Sequence, residues 1–487
     1  MVGVGGRSKA CKNCKRRRVK CDETRPNCRR CLKAKLSCGD WPTMTIIQFN
    51  GQPEQQPSTP KTEPELQIVD TIENKTGLLS SSWSPWSKVA MPTDDLFVSY
   101  TLAHLLRGSY QLDDIYVPEV DRVLSDTCFL ALATSYFGND HREQAVVQRG
   151  VRRYSSALKG LNEALHDDSK SRTYDVLKAV LLMATYEMLL SDNSNGWIVH
   201  GLGLERLIEF RGPESFKRMP DRDLFETSRP SMIYSAIVLH KNTILSQKRW
   251  KVIPWEDDLG QKDVFQYLID ILADCPQLLV SKDRMYTCKP KEKAGDLARA
   301  LDIETRSLLV QLEAWKASWD ASEGDYCSET PVSSSNPSYI PPNGVPVPFW
   351  TTNLYYNSLR QANAMAMYNA CIIFLGKIIR ELDEGNGHSS TIQVANQMYI
   401  AGIEICRSAE YHLHVMSQGT GSFAFLFPLR MAWDAVGIVE PAIGVWLTEV
   451  LDKIQFGAVG RWAIAGYLLN IQPPTPQPAK ELDSQLL

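Results

Sequence analysis

From Cys11 to Cys38 the chain reads CKNCKRRRVKCDETRPNCRRCLKAKLSC, six cysteines on two copies of one spacing, Cys-x2-Cys-x6-Cys. Cys11, Cys14 and Cys21 form the first copy, and Cys28, Cys31 and Cys38 the second. Six thiolates fill two tetrahedral zinc sites only by sharing. Two zinc ions need eight sulfur bonds, so two sulfurs must bridge both metals, and the product is one compact binuclear cluster. So short a segment has almost no apolar core, and its folding energy must come from the metals.

The alternative is a disulfide framework, which the same cysteine count suggests in a short secreted chain. Met1 to Ala10 has no apolar signal core and the chain runs to 487 residues, so zinc is the better reading. Separate single-metal fingers fit less well, because neither copy offers a fourth cysteine or a nearby histidine. The residues between the metal ligands are strongly basic. Residues 1–40 hold 13 Lys and Arg against 3 Asp and Glu, a formal +10, on a chain whose total is −3. Two zincs with six thiolates subtract two charges, leaving about +8. That density suits the phosphates of double-stranded DNA, while the other residues carry −13 and should not bind DNA themselves.

The cysteine spacing and the run Lys15-Arg16-Arg17-Arg18-Val19-Lys20 resemble the fungal zinc binuclear cluster (Zn2Cys6) transcription factors. The resemblance implies two zinc ions bridged by Cys11 and Cys28. It also implies CGG triplets read in the major groove by Arg17 and Arg18, whose guanidiniums suit guanine O6 and N7. Lys15, Lys20, Lys33 and Lys35 read as phosphate clamps, with Arg16 in the same basic helix. The expected protein is a nuclear, sequence-specific regulator of RNA polymerase II genes, and Arg16-Arg17-Arg18 and Arg29-Arg30 also suit a nuclear import signal.

Outward from the cluster, the division is 7–40 for the zinc module, 41–92 for a flexible linker, 93–470 for a helical regulatory domain and 471–487 for a polar tail. The linker reading rests on Pro42, Pro53, Pro57, Pro60 and Pro64 and on the serine-rich run Ser80 to Ser87. Leu66, Val69 and Glu73 give about one heptad, too little for a dimerising coiled coil. From about Leu96 the pattern is helical. Val147, Val151, Tyr154, Leu158, Leu161 and Leu165 step by four and three, with Arg149, Arg152, Lys159 and Glu163 left outside. Ser171 to Leu190 is apolar nearly all round and should lie at the centre of the core. Leu297, Leu301, Leu308, Leu312, Trp315 and Trp319 repeat the stepping. Trp350 to Leu382, Thr391 to Met416 and Met431 to Leu451 read as long helices. The fold class is therefore all-α, a small zinc module plus a large helical domain. Ala321 to Pro348, with six prolines, reads as a long irregular loop that could divide the body into two lobes. No apolar run reaches the roughly 18 residues of a membrane span, so no membrane is expected. Cys128, Cys275, Cys288, Cys327, Cys371 and Cys406 read as core thiols.

A second constellation, Trp197-x2-His200-x2-Gly203-x3-Leu207-x3-Arg211-Gly212-Pro213 followed by Leu245-Ser246, Trp250 and Pro254-Trp255, is similar to the larger fungus-specific helical regulatory domain, found behind such clusters and in sterol-uptake regulators. The likeness implies a domain over roughly 85–470, and makes an apolar small-molecule effector and self-association through the helical body further expectations. A repressor stays open, since no acidic-aromatic activation tract stands out. Trp197, Gly201, Leu204 and Ile208 make one helix face, and Gly212-Pro213 is a helix stop. His200 reads as a core histidine. The chain carries no Gly-x-Ser-x-Gly elbow, His-Glu-x2-His or Walker loop, so no catalytic residue is assigned and an enzyme is not expected.

Overall fold

A computed structural model describes residues 28, 31, 33, 34, 93–105, 123–191, 196–288, 291–332, 336–386, 391–415, 420–456 and 462–470. The chain falls into two units, Met1–Trp83 and Ser84–Leu487. The linker and tail expected at 41–92 and 471–487 lie outside the described residues.

In the second unit the helices run α1 (Thr93–His104), α2 (Val123–Asp140), α3 (Gln144–Leu165), α4 (Tyr174–Leu190), α5 (Gly196–Arg211), α6 (Asp221–Leu239) and α7 (Lys248–Val252). They continue as α8 (Val264–Leu272), α9 (Cys275–Thr287), α10 (Lys291–Glu323), α11 (Leu359–Asn386), α12 (Thr391–Glu410), α13 (Thr420–Ala432) and α14 (Pro441–Phe456). The all-α expectation holds.

α4 sits where its all-round apolarity requires, packed on α2 and α5 with most of its residues buried. Thr173 caps it by accepting from the Val176 N–H at 3.4 Å. Asp175, in the first turn of α4, also accepts from the Leu124 and Ser125 N–H groups at 3.1 and 2.8 Å, so one carboxylate closes the start of α2 as well. α3 forms a hairpin with α2, but its buried stripe is Gly150, Ala157 and Leu161, while Val151 and Leu165 are exposed. The expected stripe is thus rotated by about one position. Periodicity of large residues misses it because the contact is made by small ones. A Cβ on Gly150 would lie 2.8 Å from the Ser135 Cα and N, so the two backbones are already in contact.

On α10, Leu301, Leu308, Leu312, Trp315 and Trp319 are buried as expected. The segment after it differs from the irregular loop expected at 321–348. β1 (Cys327–Pro331) pairs antiparallel with β4 (Thr352–Tyr356), and β2 (Ser338–Tyr339) with β3 (Val347–Pro348). Pro331 and Pro348 end their strands, which is where a two-stranded ribbon tolerates a residue without an N–H. Ser84–Leu487 remains one unit, so the excursion does not divide the body. β4 also takes the beginning of the helix expected from Trp350, which starts only at Leu359. The helix expected over Met431 to Leu451 is broken by a π turn at Trp433–Gly437, and Pro441 opens the next helix.

Two stretches, Val264–Thr287 and Leu359–Asp383, are long and apolar enough to cross a membrane by length and composition, which corrects the expectation that none is. Both are drawn into the helical core, the second with 78% of its apolar window buried. Cys128, Cys275, Cys371 and Cys406 are core thiols, while Cys288 and Cys327 are half-buried. Burial pushes the Cys128 thiol up to about 12.

His412 makes the core pH-sensitive. It is fully buried, its Nδ1–H donates to the Ser408 carbonyl at 2.9 Å, and its ring stacks on Phe425 at 4.0 Å. Burial lowers its pKa from 6.5 to about 4. The folded state therefore disfavours the proton, and the unfolded chain binds it first as pH falls below 6.5. Stability is full above that value and declines as pH drops through 4, by about 3 kcal/mol in all. Urea unfolding at pH 7 and pH 4.5 should show the decline, and His412→Gln should flatten it.

Candidate metal centre and nucleic-acid interface

Of the thirteen residues assigned to the zinc and DNA sites, Cys28, Cys31 and Lys33 are described. Cys11, Cys14, Cys21, Cys38, Lys15, Arg16, Arg17, Arg18, Lys20 and Lys35 lie outside the described residues. Cys28 and Cys31 are fully buried, yet neither belongs to the hydrophobic core cluster. The Cys31 N–H donates to the Cys28 Sγ at 3.3 Å, and the Ala34 N–H to the Cys31 carbonyl at 3.0 Å. The Cys28 sulfur thus accepts from the N–H three residues on, as a serine or aspartate oxygen does at an N-cap.

An N–H aimed at a sulfur favours its thiolate, the form that binds zinc. Lys33, on the same turn, is exposed and free to meet a phosphate. None of the described cysteines is in a disulfide. When bound, zinc would be held in part by Cys28 and Cys31 and would supply the module's folding energy.

In the helical unit the second constellation is assembled as its spacing implies. Trp197, Gly201, Leu204 and Ile208 form the buried face of α5. Gly212, at φ 78°, ends the helix in a conformation that favours glycine, and Pro213 opens the next turn. Trp250 and Trp255 are fully buried beside Phe225, with ring centroids at 5.8 Å in each case. The Trp255 Nε1–H donates to Glu226 at 2.8 Å, while Arg229 and Lys262 approach its ring at 5.3 and 4.2 Å. Both cations bind Asp270. Sequence reading missed this buried ionic cluster, since its four charged members are spread over residues 226–270 with no common spacing. His200 is half-buried, and burial lowers its pKa.

A cysteine-rich basic module ahead of an all-helical body defines a zinc-cluster regulator. Residues 9–44 match the fungal Zn(2)-Cys(6) binuclear cluster domain, which binds two zinc ions, and residues 127–415 match the fungal specific transcription factor domain. The second match covers more than half of the chain, and the protein belongs to this family. Neither match is an enzyme domain. An uncharacterized protein of Emericella nidulans is 23% identical over 186 residues, 36% of this chain and 39% of that one. The aspercryptin biosynthesis cluster-specific transcription regulator atnN of the same organism is 43% identical over 67 residues, 14% of this chain and 11% of the regulator. The chain spans less than half the length of these curated relatives. No solved structure matches.

Proposed function

We propose that this protein is a nuclear, sequence-specific DNA-binding regulator of RNA polymerase II transcription. One observation carries the reading: the doubled Cys-x2-Cys-x6-Cys spacing with a basic run inside it, within the matched zinc-cluster segment. In this reading residues 7–40 are the DNA reader, 41–92 a tether and 93–470 the regulatory body. Cys11, Cys14, Cys21, Cys28, Cys31 and Cys38 hold the two zincs. Arg17 and Arg18 read CGG-type sites, and Lys15, Arg16, Lys20, Lys33 and Lys35 neutralise phosphates. The acidic, helical remainder sets when the bound protein acts. The named role of atnN makes promoters of biosynthesis gene clusters the first to test for this chain.

The test is selection from a random duplex library by zinc-loaded full-length protein at moderate salt. Enrichment of CGG triplets supports the reading; no preference over scrambled duplexes ends it. Paired triplets at one spacing would add a dimer to it, and lone triplets a monomer. Two variants separate specificity from affinity. Arg18→Ala should relax discrimination at one base pair by about 1–3 kcal/mol, while Lys35→Ala should weaken all sequences alike and lower the salt slope by about one. Gel-shift titrations on matched and mismatched duplexes at several salt concentrations measure both.

A further inference from the structure

Between α5, α6, α11 and α13 lies a cavity of about 260 Å³, walled by apolar side chains including Ile237, Phe374, Ile378, Leu426 and Phe427. Two of its lining residues, Trp197 and Ser231, are only 4% and 5% exposed, and neither the Trp197 Nε1–H nor the Ser231 hydroxyl has a partner among the described residues. Buried polar groups are ordinarily paired, and leaving one unpaired is costly.

On α6 the buried hydroxyls of Ser231 and Ser235 both lack a partner among the described residues, and Ser231 is the one that lines the cavity. Thr227 and Ser228, just before it on α6, donate to carbonyls four residues back at 2.9 and 2.7 Å, the usual resting place for a helical hydroxyl. The helices that carry these two groups, α5 and α6, are in close contact. A Cβ on Gly201 would lie 2.1 Å from the Ser235 Oγ and 3.2 Å from the Ser231 carbonyl oxygen. Trp197 is one turn from Gly201 on that same face of α5.

The polar lining is biased in sign. Lys282 pairs with Glu381 at 3.0 Å, and Asp434 is shared by Lys377 and Arg430, so three lining cations face two carboxylates. Trp197 can only donate, and a serine hydroxyl can donate. These groups together call for an oxygen acceptor. The volume lies just below the roughly 300–1,000 Å³ of typical small-molecule sites and equals about nine waters.

The geometry points to a binding site for a compact apolar molecule bearing a carbonyl or carboxylate oxygen, held by Trp197 and Ser231 inside the regulatory body. Occupancy would link α5 to α6, α11 and α13 through one ligand. The site does not depend on the DNA-binding reading, and its test uses no DNA.

Calorimetric titration of the full-length protein with decanoate should give one site per chain, with decylamine at least tenfold weaker. Ser231→Ala should weaken decanoate about fivefold, the worth of one hydrogen bond, without lowering the melting temperature. Leu426→Trp, which fills the space, should abolish binding, and Ile237→Phe serves as a second filling variant if the first fails to fold. Failure of decanoate to bind the wild type overturns the proposal. So does equal binding of decylamine, or binding that survives in a folded cavity-filled variant.

Discussion

Replacing Cys28 by serine should empty both zinc sites at once and abolish specific DNA binding. The resemblance to the zinc-cluster family implies that Cys28 would be shared between the two metals with Cys11, and the prediction rests on that reading. Cys28 is fully buried, it lies outside the core cluster of the described residues, and the Cys31 N–H donates to its sulfur. A serine oxygen keeps the N-cap hydrogen bond but is a poor bridging ligand. Structural zinc contributes on the order of 10–16 kcal/mol in peptides that small, far more than local capping can restore.

Metal analysis of purified protein should therefore fall from two zincs per chain to none, and prolonged chelation of the wild type should match it. A drop from two to one would mean separate sites and would refute the bridge. The melting curve of the helical unit, Ser84–Leu487, should not move, because its core cluster contains neither Cys28 nor Cys31.

The parts of this chain that were legible in its sequence are those fixed by spacing. The cysteine doublet names its cofactor because coordination number and thiol count leave one solution. The large-residue stripe of α10 names its buried face, and Gly212-Pro213 marks the end of α5. What escaped depends on contacts that spacing does not carry. Gly150 and Ala157 present no hydrophobic signal, yet they set the rotation of α3. The prolines at 331 and 348 read as breakers, although at the end of a short ribbon they cost little. Trp197 and Ser231 carry no motif that distinguishes an orphaned donor from a satisfied one; only the packing of α5 on α6 shows it.

Asp270→Asn should destabilise the helical body by about 3–5 kcal/mol, the range for removing one partner of a buried ion pair. Arg229 is fully buried on α6, and its Nη1 donates to the Gln266 side chain at 2.6 Å while its Nη2 binds Asp270. Lys262, almost as buried, binds the same carboxylate and donates to the Lys251 carbonyl at 2.7 Å. Burial lowers the pKa of both cations, and Asp270 opposes that shift in each. An asparagine leaves two cations flanking Trp255, and Arg229 then keeps the Glu226 carboxylate, whose own pKa burial raises, as a weaker counter-charge. Domains have about 5–15 kcal/mol in total, so the variant should unfold at markedly lower urea. The triple substitution Arg229→Met, Lys262→Met and Asp270→Leu should recover most of the loss, since apolar replacement of a whole buried cluster is often neutral. If the triple variant stays as unstable as the single one, the loss lies in packing around Trp255 and not in uncompensated charge.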